Sequence, residues 1–175
     1  MMNCRFSILI LFFTALVFFS ACSPDDTKVE TFIVQAQEYF EKGEFKKAEI
    51  QLKNAIKIQN NSEKAHQLLN QTHLKLGNSQ EAFQTLLRLE QINPENKDYK
   101  LQLASFYILG KKREEARRRI DTVLSESPDN IPALYLNISL MALDNEPSRT
   151  MIEKYEHILA IDPVQPRAHM ALSQL

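Results

Sequence analysis

The chain has 175 residues, of which 44% are hydrophobic and 25% are charged. This composition is too apolar for intrinsic disorder and is sufficient for one ordinary domain or one short solenoid. The formal net charge is -1, with acidic and basic side chains finely mixed, so the sequence offers no electrostatic footprint for nucleic acid. Only three glycines occur, which argues against a glycine-rich loop that binds phosphate.

The N-terminal segment is apolar and short. A single basic side chain, Arg5, precedes an almost wholly apolar run from Phe6 to Ala21. At about 1.5 Å per residue, this run falls short of the roughly 30 Å hydrocarbon core of a membrane. It is therefore more typical of a cleaved secretory signal than of a permanent span, the alternative being an uncleaved N-terminal anchor.

The residues that end this run carry a second signal. Phe19-Ser20-Ala21-Cys22 resembles the bacterial lipobox, with Phe19 standing where leucine is usual. The resemblance implies a lipoprotein signal peptide over 1–21, lipidation of Cys22 by acyl chains such as palmitate, and a polar tether over 22–28. Because each buried CH₂ contributes about 0.8 kcal/mol, several acyl chains would hold the protein on a membrane essentially permanently. Ser23 resembles the signal for outer-membrane sorting, so we expect a bacterial cell-envelope protein on the outer membrane, facing the periplasm.

The rest of the chain repeats itself every 34 residues. Gly43 recurs as Gly77, and three alanines and two prolines keep the same spacing among themselves. They are Ala48, Ala82, Ala116, Pro94 and Pro128. Self-similarity at a period of this size is the signature of a helical repeat array. The sequence therefore predicts an all-α fold over 29–164, in four repeats at 29–62, 63–96, 97–130 and 131–164.

Each repeat is predicted to contain two amphipathic helices joined by a tight turn. Gly43 stands where the end of a helix favours positive φ, and Ala48 is small enough to let paired helices approach closely. Pro94 ends its repeat because proline cannot continue a helix, and Asn130 can cap the helix that follows it. In the fourth repeat Pro163 comes one residue late, which predicts one extra residue in the turn between its helices.

Residues 165–175 begin a further unit. Its small and apolar face differs from the polar outer face of a terminal capping helix, and comprises Ala168, Ala171, Leu172 and Leu175. Either this helix packs on repeat four as a minimal cap, or the array continues beyond it. We expect the second, because an uncovered apolar face lowers solubility.

These landmarks resemble the tetratricopeptide repeat (TPR), in which an aromatic residue, Leu-Gly, Tyr, Ala, Phe and Pro recur in that order. The resemblance covers about 29–164 and implies a right-handed α-solenoid. The chain departs from the pattern in having no Trp and in placing Asn70 and His73 where small and aromatic residues are usual. The stretch from Glu41 to Ile56 further resembles TPR lipoproteins of exosortase (PEP-CTERM) export systems. TPR lipoproteins that help to assemble secretins and pili are the alternative.

The TPR resemblance also implies a concave peptide-binding groove formed mainly by the first helix of each repeat. Its lining would comprise Ile33, Gln37, Phe40, Gln67, Gln71, Leu74, Leu101, Ser105, Ile108, Tyr135 and Ser139. Amide and apolar side chains of this kind suit an extended or helical peptide segment. The alternative for Leu101 and Ile108 is that they only pack between repeats. Chaperone-binding TPR proteins grip a carboxylate with Lys and Asn, whereas the corresponding positions here are Ile33, Gln37, Leu68, Asp98 and Gln102.

The sequence contains no recognisable catalytic or metal-binding motif. His66 and His73 are seven residues apart on one helix, too far to share an ion, and we expect them to be exposed or to face the groove. Neither G-x-S-x-G nor H-E-x-x-H occurs. The basic cluster at 111–119 is interleaved with Glu114 and Glu115 and followed by Asp121, which predicts i,i+3 and i,i+4 ion pairs on a solvent-exposed face.

We therefore predict a non-catalytic, membrane-anchored scaffold or adaptor for protein–protein interaction in the bacterial envelope. It would need no cofactor or metal and would bind neither nucleic acid nor a small-molecule substrate. Its partners would be a protein or peptide segment in the groove and, through the N-terminal acyl chains, the membrane. The narrower resemblance implies a link to exopolysaccharide and exosortase protein export. The alternatives are assistance in assembling a pilus or secretin complex, and a self-associating structural array.

Overall fold

The computed structural model describes residues 24–174. Within this range the chain forms nine α-helices and no strand, which confirms the predicted all-α solenoid. The helices are α1 (Pro24–Glu41), α2 (Phe45–Ile58), α3 (Glu63–Lys75), α4 (Ser79–Ile92), α5 (Lys97–Leu109), α6 (Arg113–Glu126), α7 (Ile131–Leu143), α8 (Ser148–Ile161) and α9 (Pro166–Leu172).

The helices pack as antiparallel pairs that stack along the chain. Each odd-numbered helix from α1 to α7 packs against the even-numbered helix that follows it, and each pair packs against the next. Ala48, Ala82 and Ala116 are fully buried, as predicted for small residues at the closest approach of helices. Helix α1 also contacts α3, and α5 contacts α7. Side chains of α3 and α5 meet through the hydrogen bond between Tyr99 and Glu63, so the first helices of neighbouring repeats line one surface.

Side-chain caps begin three of the first helices. The side-chain oxygens of Ser62, Asn96 and Asn130 accept hydrogen bonds from backbone N–H groups in the first turns of α3, α5 and α7. The predicted cap at Asn130 is therefore confirmed, with Oδ1 lying 2.9 Å from the Ala133 nitrogen. Such caps satisfy donors that have no partner inside the helix.

Four residues in the helix-to-helix turns have positive φ, and they follow the 34-residue period. Gly43 and Gly77 have φ of 75° and 74°, while Lys111 and Asn145 have φ of 56° and 55°. The third glycine, Gly110, has φ of -79° and lies one residue before the left-handed position. Positive φ therefore recurs at the same position of each repeat, although only repeats one and two have glycine there.

The fourth repeat contains the extra residue that the sequence predicts. Ala55, Leu89 and Val123 are buried at steps of 34 residues, and the equivalent Ile158 follows after 35. Asn145 still keeps the 34-residue spacing, but α8 begins at Ser148. The additional residue thus lies between Asn145 and the start of α8.

Helix α1 begins at Pro24, within the segment 22–28 that the sequence predicts to be a polar tether. Proline is favoured in the first turn of a helix, and the acidic Asp25 and Asp26 stand where the helix dipole favours negative charge. The predicted signal peptide over 1–21 and the lipidated Cys22 lie outside the described residues. Of the helices between 24 and 174, none has the length and apolar character needed to cross a membrane.

Helix α9 packs on repeat four. Ala168 is fully buried in one cluster with Leu134, Ile138 and Ile158. Ala171 and Leu172 are only half-buried, and Leu175 lies outside the described residues.

Candidate functional site

The first helices α1, α3, α5 and α7 form a surface that we call the first-helix face. Two rows of equivalent positions run along it at 34-residue steps. One row is Ile33, Gln67, Leu101 and Tyr135, and the other is Gln37, Gln71, Ser105 and Ser139. The second row carries only amide and hydroxyl groups, so this part of the face is polar but uncharged.

A depression of about 320 Å³ lies between α1 and α3. Ile33 and Leu68 are buried at its apolar wall, whereas Gln37, Gln67 and Gln71 are exposed. The Gln37 amide donates to Glu41 Oε1 at 2.9 Å. The depression therefore combines an apolar surface with amide groups that can both donate and accept hydrogen bonds.

A polar network bridges α3 and α5 in the middle of the face. The Gln67 amide donates to the Tyr99 hydroxyl, and that hydroxyl donates to Glu63 Oε1 at 2.7 Å. The Asn93 amide donates to the same carboxylate oxygen at 3.1 Å. Burial and the hydrogen bond to Glu63 raise the pKa of Tyr99 to about 12. The phenol is therefore a neutral, fixed element of the surface at neutral pH.

A second apolar depression of about 370 Å³ lies between α5 and α7, next to α9. Leu101 and Tyr135 are buried at its wall, and Ser105 is half-buried there. The guanidinium of Arg167 lies 4.4 Å from the centre of the Tyr135 ring, a cation–π contact. The Tyr135 hydroxyl is buried and has no hydrogen-bond partner in the described part of the chain.

The depressions on the first-helix face contain seven of the eleven groove residues predicted from the sequence. These are Ile33, Gln37, Gln67, Gln71, Leu101, Ser105 and Tyr135. The other four lie outside them: Phe40 packs edge-to-face on Phe45, Leu74 is exposed, Ile108 packs on the core, and the Ser139 hydroxyl donates to the Tyr135 carbonyl. Ile108 packs between repeats, and Leu101 both packs between repeats and lines the depression between α5 and α7.

The sequence prediction missed Arg167 as a lining residue. It belongs to a third row, Lys64, Asp98, Pro132 and Arg167, whose last step is 35 residues. If the one-residue insertion in repeat four is included when the spacing is extended to α9, the spacing places Arg167 on the first-helix face. Lys64 in the same row pairs with Glu30 at 2.5 Å.

His66 and His73 are buried, so the prediction that they are exposed or groove-facing is wrong. His66 Nε2 lies 3.0 Å from the Asn60 carbonyl oxygen, whereas Nδ1 of both rings has no partner among the described residues. Burial lowers the pKa of both imidazoles below the ordinary value. No group of three or more potential metal ligands comes together within 24–174.

The basic cluster pairs differently from the prediction. Arg113 and Arg117 both bind the carboxylate of Asp144, at 3.0 and 2.5 Å. Arg119 binds Glu90 at 2.8 Å and stacks on the Tyr107 ring. These arginines therefore connect neighbouring repeats, rather than forming the i,i+3 and i,i+4 pairs expected within α6.

Solved structures similar to this chain are helical repeat proteins. A TPR protein from Parabacteroides merdae is 23% identical with a TM-score of 0.72, over 83% of this chain and 57% of that one. MamA residues 41-end from Desulfovibrio magneticus is 18% identical with a TM-score of 0.69, over 81% and 80%. PilF from Pseudomonas aeruginosa is 18% identical with a TM-score of 0.66, over 86% and 68%. These similarities support the fold.

Sequence comparison identifies the repeats directly. Models of the tetratricopeptide repeat match residues 29–62 and 73–142, which together make up more than half of the chain. No curated protein matches the sequence. The chain therefore belongs to the tetratricopeptide-repeat proteins, and this membership implies a scaffold for protein–protein interaction.

Proposed function

We propose that the protein is a non-catalytic adaptor, anchored by lipid at Cys22, that holds a peptide segment of an envelope protein along the first-helix face. The observation that carries the proposal is the alignment of exposed amides beside apolar depressions. Gln37, Gln67 and Gln71 are exposed around the buried Ile33 and Leu68. An extended or helical segment can place apolar side chains in such depressions and satisfy its polar groups with the amides.

The charge of the face limits the partner. Lys64 is paired with Glu30, and Glu63 is engaged by Tyr99 and Asn93. Exposed Glu38 and Asp98 also line the depressions of this face, so it disfavours a strongly acidic partner segment.

A pair of matched substitutions tests the groove. Gln71→Arg places a long charged side chain in the depression between α1 and α3, whereas Gln84→Arg makes the same change at an exposed position of α4. The test measures which envelope proteins each full-length variant retains after mild cross-linking in the native membrane. We expect Gln71→Arg to lower recovery of the specific partner about tenfold and Gln84→Arg to leave it unchanged. Equal recovery from both variants would rule out the groove.

The lipid anchor has its own test. The Cys22→Ser variant should lose palmitate incorporation, while the native chain should lack residues 1–21. Mass spectrometry of the native N-terminus shows directly whether residues 1–21 are removed and whether Cys22 is acylated. An unmodified Cys22 in a chain that retains Met1 contradicts the anchor without affecting the groove.

The pathway is a narrower proposal that rests on the resemblance of the stretch from Glu41 to Ile56 to exosortase-associated lipoproteins. Identification of the protein cross-linked at the groove distinguishes among the three proposed roles. A component of exopolysaccharide or protein export supports that pathway, and a pilus or secretin subunit supports the alternative. A second copy of this chain as the cross-linked species supports the self-associating array.

A further inference from the structure

Another apolar depression opens away from the first-helix face, at the edge where the start of α4 meets the end of α5. Its volume is about 450 Å³. Its lining residues are Ser79, Gln80, Phe83, Phe106, Tyr107, Leu109, Gly110 and Lys112. We call these residues the aromatic edge.

The rings of the aromatic edge pack on one another. The centre of the Phe83 ring lies 5.7 Å from that of Phe106 and 5.4 Å from that of Tyr107, the second pair being edge-to-face. All three rings are only half-buried. Leu109 beside them is 82% exposed, the highest fraction among the exposed large hydrophobic side chains described. The result is a preformed apolar surface open to solvent.

The neighbouring repeats show that the fold does not require this chemistry. One period earlier, the positions of Phe83, Phe106, Tyr107 and Leu109 are occupied by Glu49, Thr72, His73 and Lys75. One period later, Arg113 and Arg117 close the same edge through their ion pairs with Asp144. Only the junction between repeats two and three, among those described, leaves this edge aromatic and open.

The rim of the aromatic edge is basic. Lys112 lines the depression and Lys111 precedes it, and both are exposed. Neither ammonium group forms an ion pair with another described residue. By contrast, Arg113 and Arg119 are already held by Asp144 and Glu90. Two cations therefore remain available to a partner next to an apolar depression.

We propose that the aromatic edge binds an acidic segment of a partner protein, which inserts one aromatic or aliphatic side chain between Phe83, Phe106 and Leu109. Carboxylates flanking that side chain pair with Lys111 and Lys112. The charge of the rim favours this occupant, because the two ammonium groups attract carboxylates and repel a basic segment. This surface is separate from the first-helix face and does not depend on its proposed function.

Selection from a random peptide library on the full-length protein tests the proposal. Leu109→Glu removes the exposed apolar side chain and adds a repelling charge, whereas Val164→Glu makes the same change at a site that is 79% exposed. We expect the selected peptides to combine an apolar anchor with at least two acidic residues. Their affinity should fall about tenfold or more for Leu109→Glu and stay unchanged for Val164→Glu.

A second variant separates charge from apolar contact. Lys112→Glu should weaken the same peptides about tenfold, and raising the salt concentration should weaken their binding to the native protein. Because both substituted side chains are exposed, neither change should alter the helical content. The proposal is overturned if the peptides lack acidic residues, if they bind Leu109→Glu as tightly as native protein, or if no peptide is enriched. It is likewise overturned if sedimentation shows that Leu109→Glu dissociates a dimer, since a second copy would then cover the edge.

Discussion

Helices α3 and α7 are the first helices of repeats two and four, and they bury the same positions with opposite chemistry. Helix α3 buries His66, Asn70, Thr72 and His73, whereas 68 residues later α7 buries Leu134, Ile138, Leu140 and Met141. Each pair is separated by two periods of 34 residues. The period therefore determines which positions are buried, and it does not determine whether they are polar.

The polar positions of α3 are tolerated because most of them find partners locally. The Asn70 amide donates to the Ala82 carbonyl at 2.7 Å, and the Thr72 hydroxyl donates to the Leu68 carbonyl at 2.7 Å. His73 Nδ1 has no partner among the described residues. A buried polar group without a partner costs free energy, so the stability of α3 depends on keeping these hydrogen bonds.

The largest expected effect comes from giving α7 the chemistry of α3. Ile138→Asn places an amide in an apolar cluster, and we expect the free energy of unfolding to fall by about 3 kcal/mol. Urea denaturation measures it. The reverse change, Asn70→Ile, removes one hydrogen bond and should cost about 1 kcal/mol. Equal losses would contradict the contrast between the two helices.

The second prediction concerns pH and the buried histidines of α3. Because the pKa values of His66 and His73 are lowered in the folded state, the unfolded chain binds more protons below about pH 6.5. Stability is therefore complete above pH 6.5 and falls on acidification until the folded-state pKa values are passed. Each imidazole contributes a slope of at most about 1.4 kcal/mol per pH unit.

The matching variant replaces both histidines with their α7 counterparts, as His66→Leu with His73→Met. Urea midpoints from pH 7.5 to 5 should then vary less than those of the native chain. Glu49 and Asp162, whose pKa values are lowered, act in a separate window near and below pH 4. A native chain whose stability is constant between pH 7 and 5 would contradict the burial of the two rings.

The third prediction compares the caps of the same two helices. Asn130 Oδ1 accepts from the Ala133 nitrogen at 2.9 Å, whereas Ser62 Oγ lies 3.4 Å from the Ala65 nitrogen. Asn130→Ala should lower the free energy of unfolding by about 1 kcal/mol, and Ser62→Ala by about half as much. Thermal unfolding of the two variants measures both losses. The reverse order would show that cap geometry does not control these helix starts.

The smallest expected effects lie in the turns that follow α3 and α7, where Gly77 and Asn145 both have positive φ. Asn145→Gly should stabilise the protein by a few tenths of a kcal/mol, because asparagine tolerates this conformation better than most residues. Lys111, in the turn after α5, also has positive φ. Lys111→Gly should give a larger gain, about 0.5 kcal/mol, because lysine tolerates this conformation less well than asparagine. Urea midpoints that move in the opposite direction would contradict the assigned backbone strain.

The sequence predicted the repeat architecture well because its landmarks are local and periodic. Gly43 indicates a residue with positive φ, Asn130 indicates a helix cap, and the late position of Pro163 indicates the extra residue before α8. These features act within a few residues, so spacing alone reveals them. The same period, continued through the extra residue, would also have placed Arg167 on the first-helix face.

Contacts between repeats could not be predicted in the same way. Arg113 and Arg119 have acidic neighbours on their own helix, yet their partners are Asp144 and Glu90 in adjacent repeats. The burial of His73 likewise depends on the helices that pack around it. Spacing within one helix carries no information on such distances, which are set by the stacking of repeats.

The central claim is that a partner segment lies along the first-helix face, and site-specific photo-cross-linking tests it most directly. A photoreactive residue placed at position 71 of the full-length chain, and separately at position 84, compares this face with an exposed site on α4. We predict one dominant cross-linked protein from position 71 and none from position 84. The same product from both positions, or a product only from position 84, would contradict the account.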